Sequence, residues 1–226
     1  MNENCKINIY NDPYKHLIIE NIFDKDCIKN IIKYFPKIKN LNNRISIINK
    51  VPQNDRFVLY LDKKQDFVNL KNKDFWYNFY KNLYNKNFIN KICKSLNLDI
   101  KNFHIQVQLI CDKKNYQIPP HTDRKSNNIA KHITILTYIN DEDNLDLGTE
   151  LYTESEEGKI NLKNRKFKLI KKAPYKTNFA LAFHPINNVT WHGVSEIKEN
   201  VIRKTIQIFF KPKRKIDYET IYNHKF

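Results

Sequence analysis

The chain has 226 residues and a net charge of +16, from 40 Lys and Arg against 24 Asp and Glu. It is 41% hydrophobic, with 14 Phe and 13 Tyr, enough apolar surface for a core and too much for an intrinsically disordered chain. No run approaches the roughly 18 consecutive apolar residues of a membrane span.

The opening stretch, MNENCKINIYNDPYKH, is polar and mixed in charge. It does not read as a secretory signal, so a cytoplasmic location is expected. HLIIENIF (16–23) reads as a strand. Asp24 can then cap a helix to about Phe35, with Ile28, Ile31, Ile32 and Phe35 on one face, and Pro36 stops it. RFVLYLD (56–62) is another strand candidate. From Asp74 to Leu96, Phe75, Phe79, Leu83, Phe88, Ile92 and Leu96 recur at helical spacing, which predicts one or two helices with a core-facing stripe. After residue 100 the period changes. FHIQVQLI (103–110), HITILTYI (132–139), TELYT (149–153), KFKLI (166–170), NFALAF (178–183) and VIRKTIQIFF (201–210) read as strands joined by turn-rich connections. Helices followed by many strands predict an α+β chain, its helices buttressing one face of an antiparallel sandwich or barrel.

Cys5, Cys27, Cys93 and Cys111 are scattered and form no CxxC, so they read as reduced, packed thiols rather than a zinc ribbon. The basic charge invites a nucleic-acid partner. Yet only six of the 40 cations are Arg, the Lys are spread along the chain, and a modest cluster lies in KPKRK (211–215). Nucleic acid is therefore not expected as the partner. Glycine is scarce: Gly148, Gly158 and Gly193 are the only three, so each should mark a backbone need.

The segment YQIPPHTD contains one His-x-Asp, His121-Thr122-Asp123. In extended backbone, residues i and i+2 share a face, so an imidazole and a carboxylate can meet one metal ion. Taken alone, the pair reads as a loop histidine beside a solvated aspartate. His192, in WHGV, is the best third ligand. Two imidazoles and one carboxylate on one side of a metal leave open positions opposite, as in the facial triad of non-haem iron oxygenases. Arg203 then interrupts an apolar strand, in step with Thr205 and Gln207. If that face points inward, the guanidinium needs a fixed anion. The far carboxylate of a small dicarboxylate fits such a fork. The competing reading is a structural ion pair, with Glu150 as the candidate partner.

HTD, a distal WHGV and RKTIQIFF together resemble the Fe(II)/2-oxoglutarate-dependent dioxygenases, above all the prolyl-hydroxylase-like branch. ITILTYIN followed by an acidic turn and GTELY is similar to that branch's Tyr-Leu-Asn strand and Gly-Gly-x-Leu. The similarity spans about 103–212. It implies a double-stranded β-helix (jelly-roll) core over 100–212, a helical support region over 1–99 and a basic tail over 213–226, all one domain of 1–226. It also implies that His121, Asp123 and His192 ligate Fe(II), and that Arg203 pairs with the distal carboxylate of 2-oxoglutarate, with Thr205 assisting. Tyr138 would touch the same carboxylate or serve as core, and Leu151 would line the pocket. O2 is the second co-substrate. The implied reaction releases succinate and CO2 and hydroxylates a small-molecule or peptidyl substrate. Two positions depart from the pattern. Cys111 stands where many members have a tyrosine, and Thr149 replaces the second glycine. Both bear on the substrate-side wall and leave the triad intact.

His104, His132 and His184 lack a carboxylate two residues away and read as structural. Three other functions compete: a catalytically silent metal-binding module, a nucleic-acid-modifying oxygenase and a zinc hydrolase. The nucleic-acid branch usually carries a second arginine where this chain has Phe209. A zinc hydrolase has no use for a buried Arg-x-Thr opposite its metal. Substrate choice is expected from 40–56, 112–120 and 140–165, the loops at the barrel mouth.

Overall fold

The computed structural model describes residues 1–45, 52–68, 70–123, 132–140, 145–156, 165–198 and 200–212. The expected basic tail, and parts of the expected substrate loops 40–56 and 140–165, lie outside them. Among the described residues no helix is long and apolar enough to cross a membrane.

Among the described residues the α-helices lie in the first hundred. Helix α1 (Lys25–Tyr34) starts on Asp24, whose carboxylate accepts from Cys27 N at 2.8 Å. Its face is narrower than the sequence implies: Ile31 is fully buried, but Ile32 is 41% exposed. A short turn, α2 (Lys64–Phe67), precedes two longer helices. The run from 74 to 96 splits into α3 (Lys73–Asn82) and α4 (Lys86–Leu96), because Asn85 caps the second by accepting from Phe88 N at 2.9 Å.

The strands form two antiparallel sheets. They are β1 (Lys6–Tyr10), β2 (His16–Glu20), β3 (Asn42–Ile45), β4 (Pro52–Tyr60), β5 (Phe103–Asp112), β6 (Ile118–His121), β7 (Ile133–Ile139), β8 (Glu150–Glu154), β9 (Phe167–Lys172), β10 (Phe179–Phe183), β11 (Trp191–Val194) and β12 (Arg203–Pro212). The large sheet runs β1-β2-β10-β7-β12-β5-β4-β3 and the small one β6-β11-β8-β9.

Side-chain alternation explains the layering. In β7, Ile133, Ile135 and Ile139 pack toward α1, α3 and α4, while Leu136 and Tyr138 join Leu151 between the sheets. In β12, Ile206, Ile208 and Phe210 face the helices. Both faces of the large sheet are thus covered, which is why its central strands read as near-continuous apolar runs. Two strands depart from the expectation. Segment 118–121 is a strand despite Pro119 and Pro120, and it lies at a sheet edge where proline is tolerated. WHGV, not among the predicted strands, forms a strand of its own in the small sheet.

Candidate functional site

His121 ends β6, and His192 lies opposite it on β11 as a direct cross-strand neighbour. Their ring centroids are 4.3 Å apart. Gly193 permits the strands to approach this closely, since a Cβ there would lie 2.6 Å from the Ile118 carbonyl oxygen. Asp123 follows two residues after His121, and its Oδ2 is 4.0 Å from His192 Nε2. One ligand atom from each of the three residues lies within 4.8 Å of the other two. Metal–ligand bonds are about 2.0–2.2 Å, so on an ion the side chains would draw together by an ångström or so.

The groups around the triad orient its donors. His121 Nδ1 bonds the Pro119 carbonyl and His192 Nδ1 the Thr190 carbonyl, each at 3.0 Å. With Nδ1–H donating there, Nε2 carries the lone pair a metal takes. Thr134 on β7 donates its hydroxyl to Asp123 Oδ2 at 2.9 Å. Phe183 packs on His192 with centroids 4.9 Å apart. Tyr14 donates to the Trp191 carbonyl at 3.3 Å, and burial, then the charge of Asp123, push its pKa up. Trp191 packs against Phe167, away from the triad chemistry. Two imidazole nitrogens and one carboxylate, with their orienting partners in place, fit a divalent transition metal.

Leu151 is opposite His192 on β8 and packs in the same apolar cluster as Tyr138. Tyr138 in turn lies beside Arg203, whose Cζ is 5.7 Å from its ring. Arg203 is 1% exposed. It donates Nε to the Leu147 carbonyl at 2.7 Å, Nη1 to Asp112 Oδ2 at 2.9 Å and Thr205 Oγ1 at 3.0 Å, and Nη2 to Thr149 Oγ1 at 3.2 Å. Burial alone would lower its pKa, but Asp112 and the nearby tyrosines outweigh it and raise it. Burial raises the pKa of Tyr138, so that hydroxyl stays protonated at neutral pH.

Several expectations change here. The resident carboxylate on Arg203 is Asp112, not Glu150. Glu150 shares β8 with the inward Leu151 but points the other way, toward Lys172, Tyr152 and Ser195. The Thr149 hydroxyl accepts from Arg203 Nη2. Gly148 lets that segment press against β9, since a Cβ would meet the Ala173 carbonyl oxygen at 1.8 Å. Cys111 faces the helix-side core, one residue out of step with the inward Asp112. All four cysteines are free thiols. His184 Nδ1 bonds the His132 carbonyl at 2.6 Å. Asp112, Thr134, Arg56 and Tyr116 were not singled out by sequence. A cavity of about 680 Å³ lies elsewhere, between α4 and the start of β5, and holds none of these groups.

No family model matches the chain. No curated protein matches it by sequence. Solved structures do. An oxidoreductase of the 2OG-Fe(II) oxygenase family from Burkholderia pseudomallei aligns with a TM-score of 0.56 at 14% identity, over 87% of this chain and 84% of that one. A prolyl hydroxylase from Trichoplax adhaerens, in complex with a hypoxia inducible factor peptide fragment, aligns at 0.53 and 15%, over 87% and 83%. HygX from Streptomyces hygroscopicus, with nickel, 2-oxoglutarate and hygromycin B bound, aligns at 0.53 and 11%, over 88% and 83%. In fold, this chain is similar to the 2OG-Fe(II) oxygenases. Within them, its structural neighbours include prolyl hydroxylases, in line with the resemblance seen in sequence.

Proposed function

We propose that the chain is an Fe(II)- and 2-oxoglutarate-dependent dioxygenase that hydroxylates a small-molecule or peptidyl substrate. The observation that carries this reading is the convergence of His121, Asp123 and His192 within 4.8 Å. It lies in a fold similar to that of known 2OG-Fe(II) oxygenases. Residues 1–226 are read as one oxygenase domain, with 1–99 as helical support, 100–212 as a double-stranded β-helix and 213–226 as a basic tail. The pairing of β5, β12, β7 and β10 in one sheet and β6, β11, β8 and β9 in the other supports that core.

In this reading His121, Asp123 and His192 hold the iron. Arg203 receives the distal carboxylate of 2-oxoglutarate, with Thr205 and Tyr138 beside it. When bound, the iron, 2-oxoglutarate and O2 supply oxidation of an unactivated C–H bond with release of succinate and CO2. The chain's own task is geometric. Thr134 fixes the Asp123 carboxylate, and the backbone carbonyls of Pro119 and Thr190 fix the imidazoles. Leu136, Leu151 and Phe183 keep water from the space between the sheets. A bound peptide and a bound hygromycin B in two structural neighbours support both substrate classes.

The test is succinate release from 2-oxoglutarate by the purified protein with Fe(II) in air, alone and across a metabolite and peptide screen. Succinate from wild type and none from His121→Ala supports the reading. Bound Fe(II) and 2-oxoglutarate with no succinate under any condition favours a silent metal-binding module.

A further inference from the structure

Register sets three charged residues in a row across three neighbouring strands. Asp112 at the end of β5 pairs with Arg203 on β12 and with Arg56 on β4. Its Oδ1 is 2.7 Å from Arg56 Nε. Its Oδ2 accepts from Arg56 Nη2 at 3.3 Å and from Arg203 Nη1 at 2.9 Å. One carboxylate therefore serves two guanidiniums. The three groups are 0%, 7% and 1% exposed for Asp112, Arg56 and Arg203.

Among the described residues, the other partners are neutral. Tyr116 puts its hydroxyl on Arg56 Nη1 and its ring 4.4 Å from the Arg56 Cζ. Leu147, Thr149, Thr205, Tyr138 and Tyr175 surround Arg203. Counted over the described residues, the cluster thus carries a net charge of +1 and is almost wholly buried. Arginine does not lose its proton in proteins, and a buried unbalanced charge is costly, so the cluster is built for one further anion.

We infer that Arg56 and Asp112 are positioning residues that set the charge of the co-substrate pocket, tuning it to a single carboxylate. Arg56 supplies the second positive charge, and Asp112 cancels one of the two while holding Arg203 in place. The inference rests on the oxygenase reading, in which that carboxylate is the distal one of 2-oxoglutarate. Charge, not packing alone, then decides affinity. Removing Arg56 leaves a neutral Asp112–Arg203 pair and weakens binding. Removing the charge of Asp112 leaves +2 and strengthens it. Removing both restores +1.

The test is calorimetric titration of the Ni(II)-loaded protein with 2-oxoglutarate, with thermal melting of each variant alongside. Arg56→Met should raise Kd at least about tenfold, while Arg56→Lys should stay within about threefold of wild type. Asp112→Asn should bind more tightly than wild type, and Arg56→Met/Asp112→Asn should return to within about threefold of it. A purely structural role predicts instead that the double variant is the weakest binder. Wild-type-like binding by Arg56→Met, weaker binding by Asp112→Asn, or no recovery in the double variant overturns the inference alone. Should Arg56→Met not fold, the sign of the Asp112→Asn effect still decides. A wild-type protein that binds metal but no 2-oxoglutarate overturns the oxygenase reading and this inference together.

Discussion

Thr134→Val isolates one hydrogen bond with almost no change of shape. Thr134 is fully buried on β7, and its hydroxyl donates to Asp123 Oδ2 at 2.9 Å. The Asp123 side chain is only 10% exposed, so water cannot readily replace the lost donor. A hydrogen bond to a charged group contributes about 1.5–3 kcal/mol, and partners of metal ligands typically contribute about 10- to 100-fold in metal affinity. The two ranges agree, because each 1.4 kcal/mol is about tenfold. Anaerobic Fe(II) or Ni(II) titration should therefore show Thr134→Val binding about 10- to 100-fold more weakly, with Thr134→Ser close to wild type. Urea unfolding of the metal-free proteins checks that the fold survives. Binding by Thr134→Val within about twofold of wild type would refute a role for this hydroxyl in holding the metal carboxylate.

Other outcomes follow from the same structure. Gly193→Ala puts a methyl 2.6 Å from the Ile118 carbonyl oxygen; overpacking of this kind costs about 1–3 kcal/mol, seen as a lowered denaturation midpoint, and should weaken metal binding as β6 and β11 part. His16 is fully buried, and burial lowers its pKa below the ordinary 6.5. The unfolded chain therefore takes up a proton first as pH falls below 6.5, so His16 destabilises the fold from there down to its lowered folded pKa. Urea midpoints should fall less between pH 7.5 and 5.5 in His16→Phe than in wild type. Burial, with Asp24 adding to it, pushes the Cys27 thiol up to about 11, and burial raises Cys5 and Cys93 as well. At pH 8 a thiol reagent should label the native protein far more slowly than the urea-unfolded one.

Much of the fold is legible in sequence because helical and two-residue periods are local. The helices, the central strands, the shared parity of Arg203 and Thr205, and the His-x-Asp all follow from residues near one another. What was not legible depends on register between distant strands. Nothing local in FHIQVQLICD distinguishes Asp112 from a solvated strand end; only its pairing with both Arg56 and Arg203 does. Glu150 was the candidate ion-pair partner, but strand alternation turns it away from Arg203, toward Lys172, Tyr152 and Ser195. Thr134 lies on β7, and only the folded chain brings its hydroxyl to Asp123, beyond the end of β6. Glycine scarcity was informative in an unexpected way. Neither Gly148 nor Gly193 has a positive φ; both serve close approach. Among the described residues, the left-handed positions are all asparagine: Asn21, Asn72, Asn97, Asn102, Asn115, Asn178 and Asn188. The abundant Asn thus do work that other chains give to Gly.

The oxygenase assignment depends on metal and 2-oxoglutarate meeting at one site. Anaerobic addition of Fe(II) and then 2-oxoglutarate to the purified protein, followed in the visible range, tests this most directly. Wild type should develop the weak charge-transfer band of a co-substrate chelated to iron, and His121→Ala should not. A wild-type protein with no band, or a His121→Ala protein with an undiminished one, would contradict the assignment.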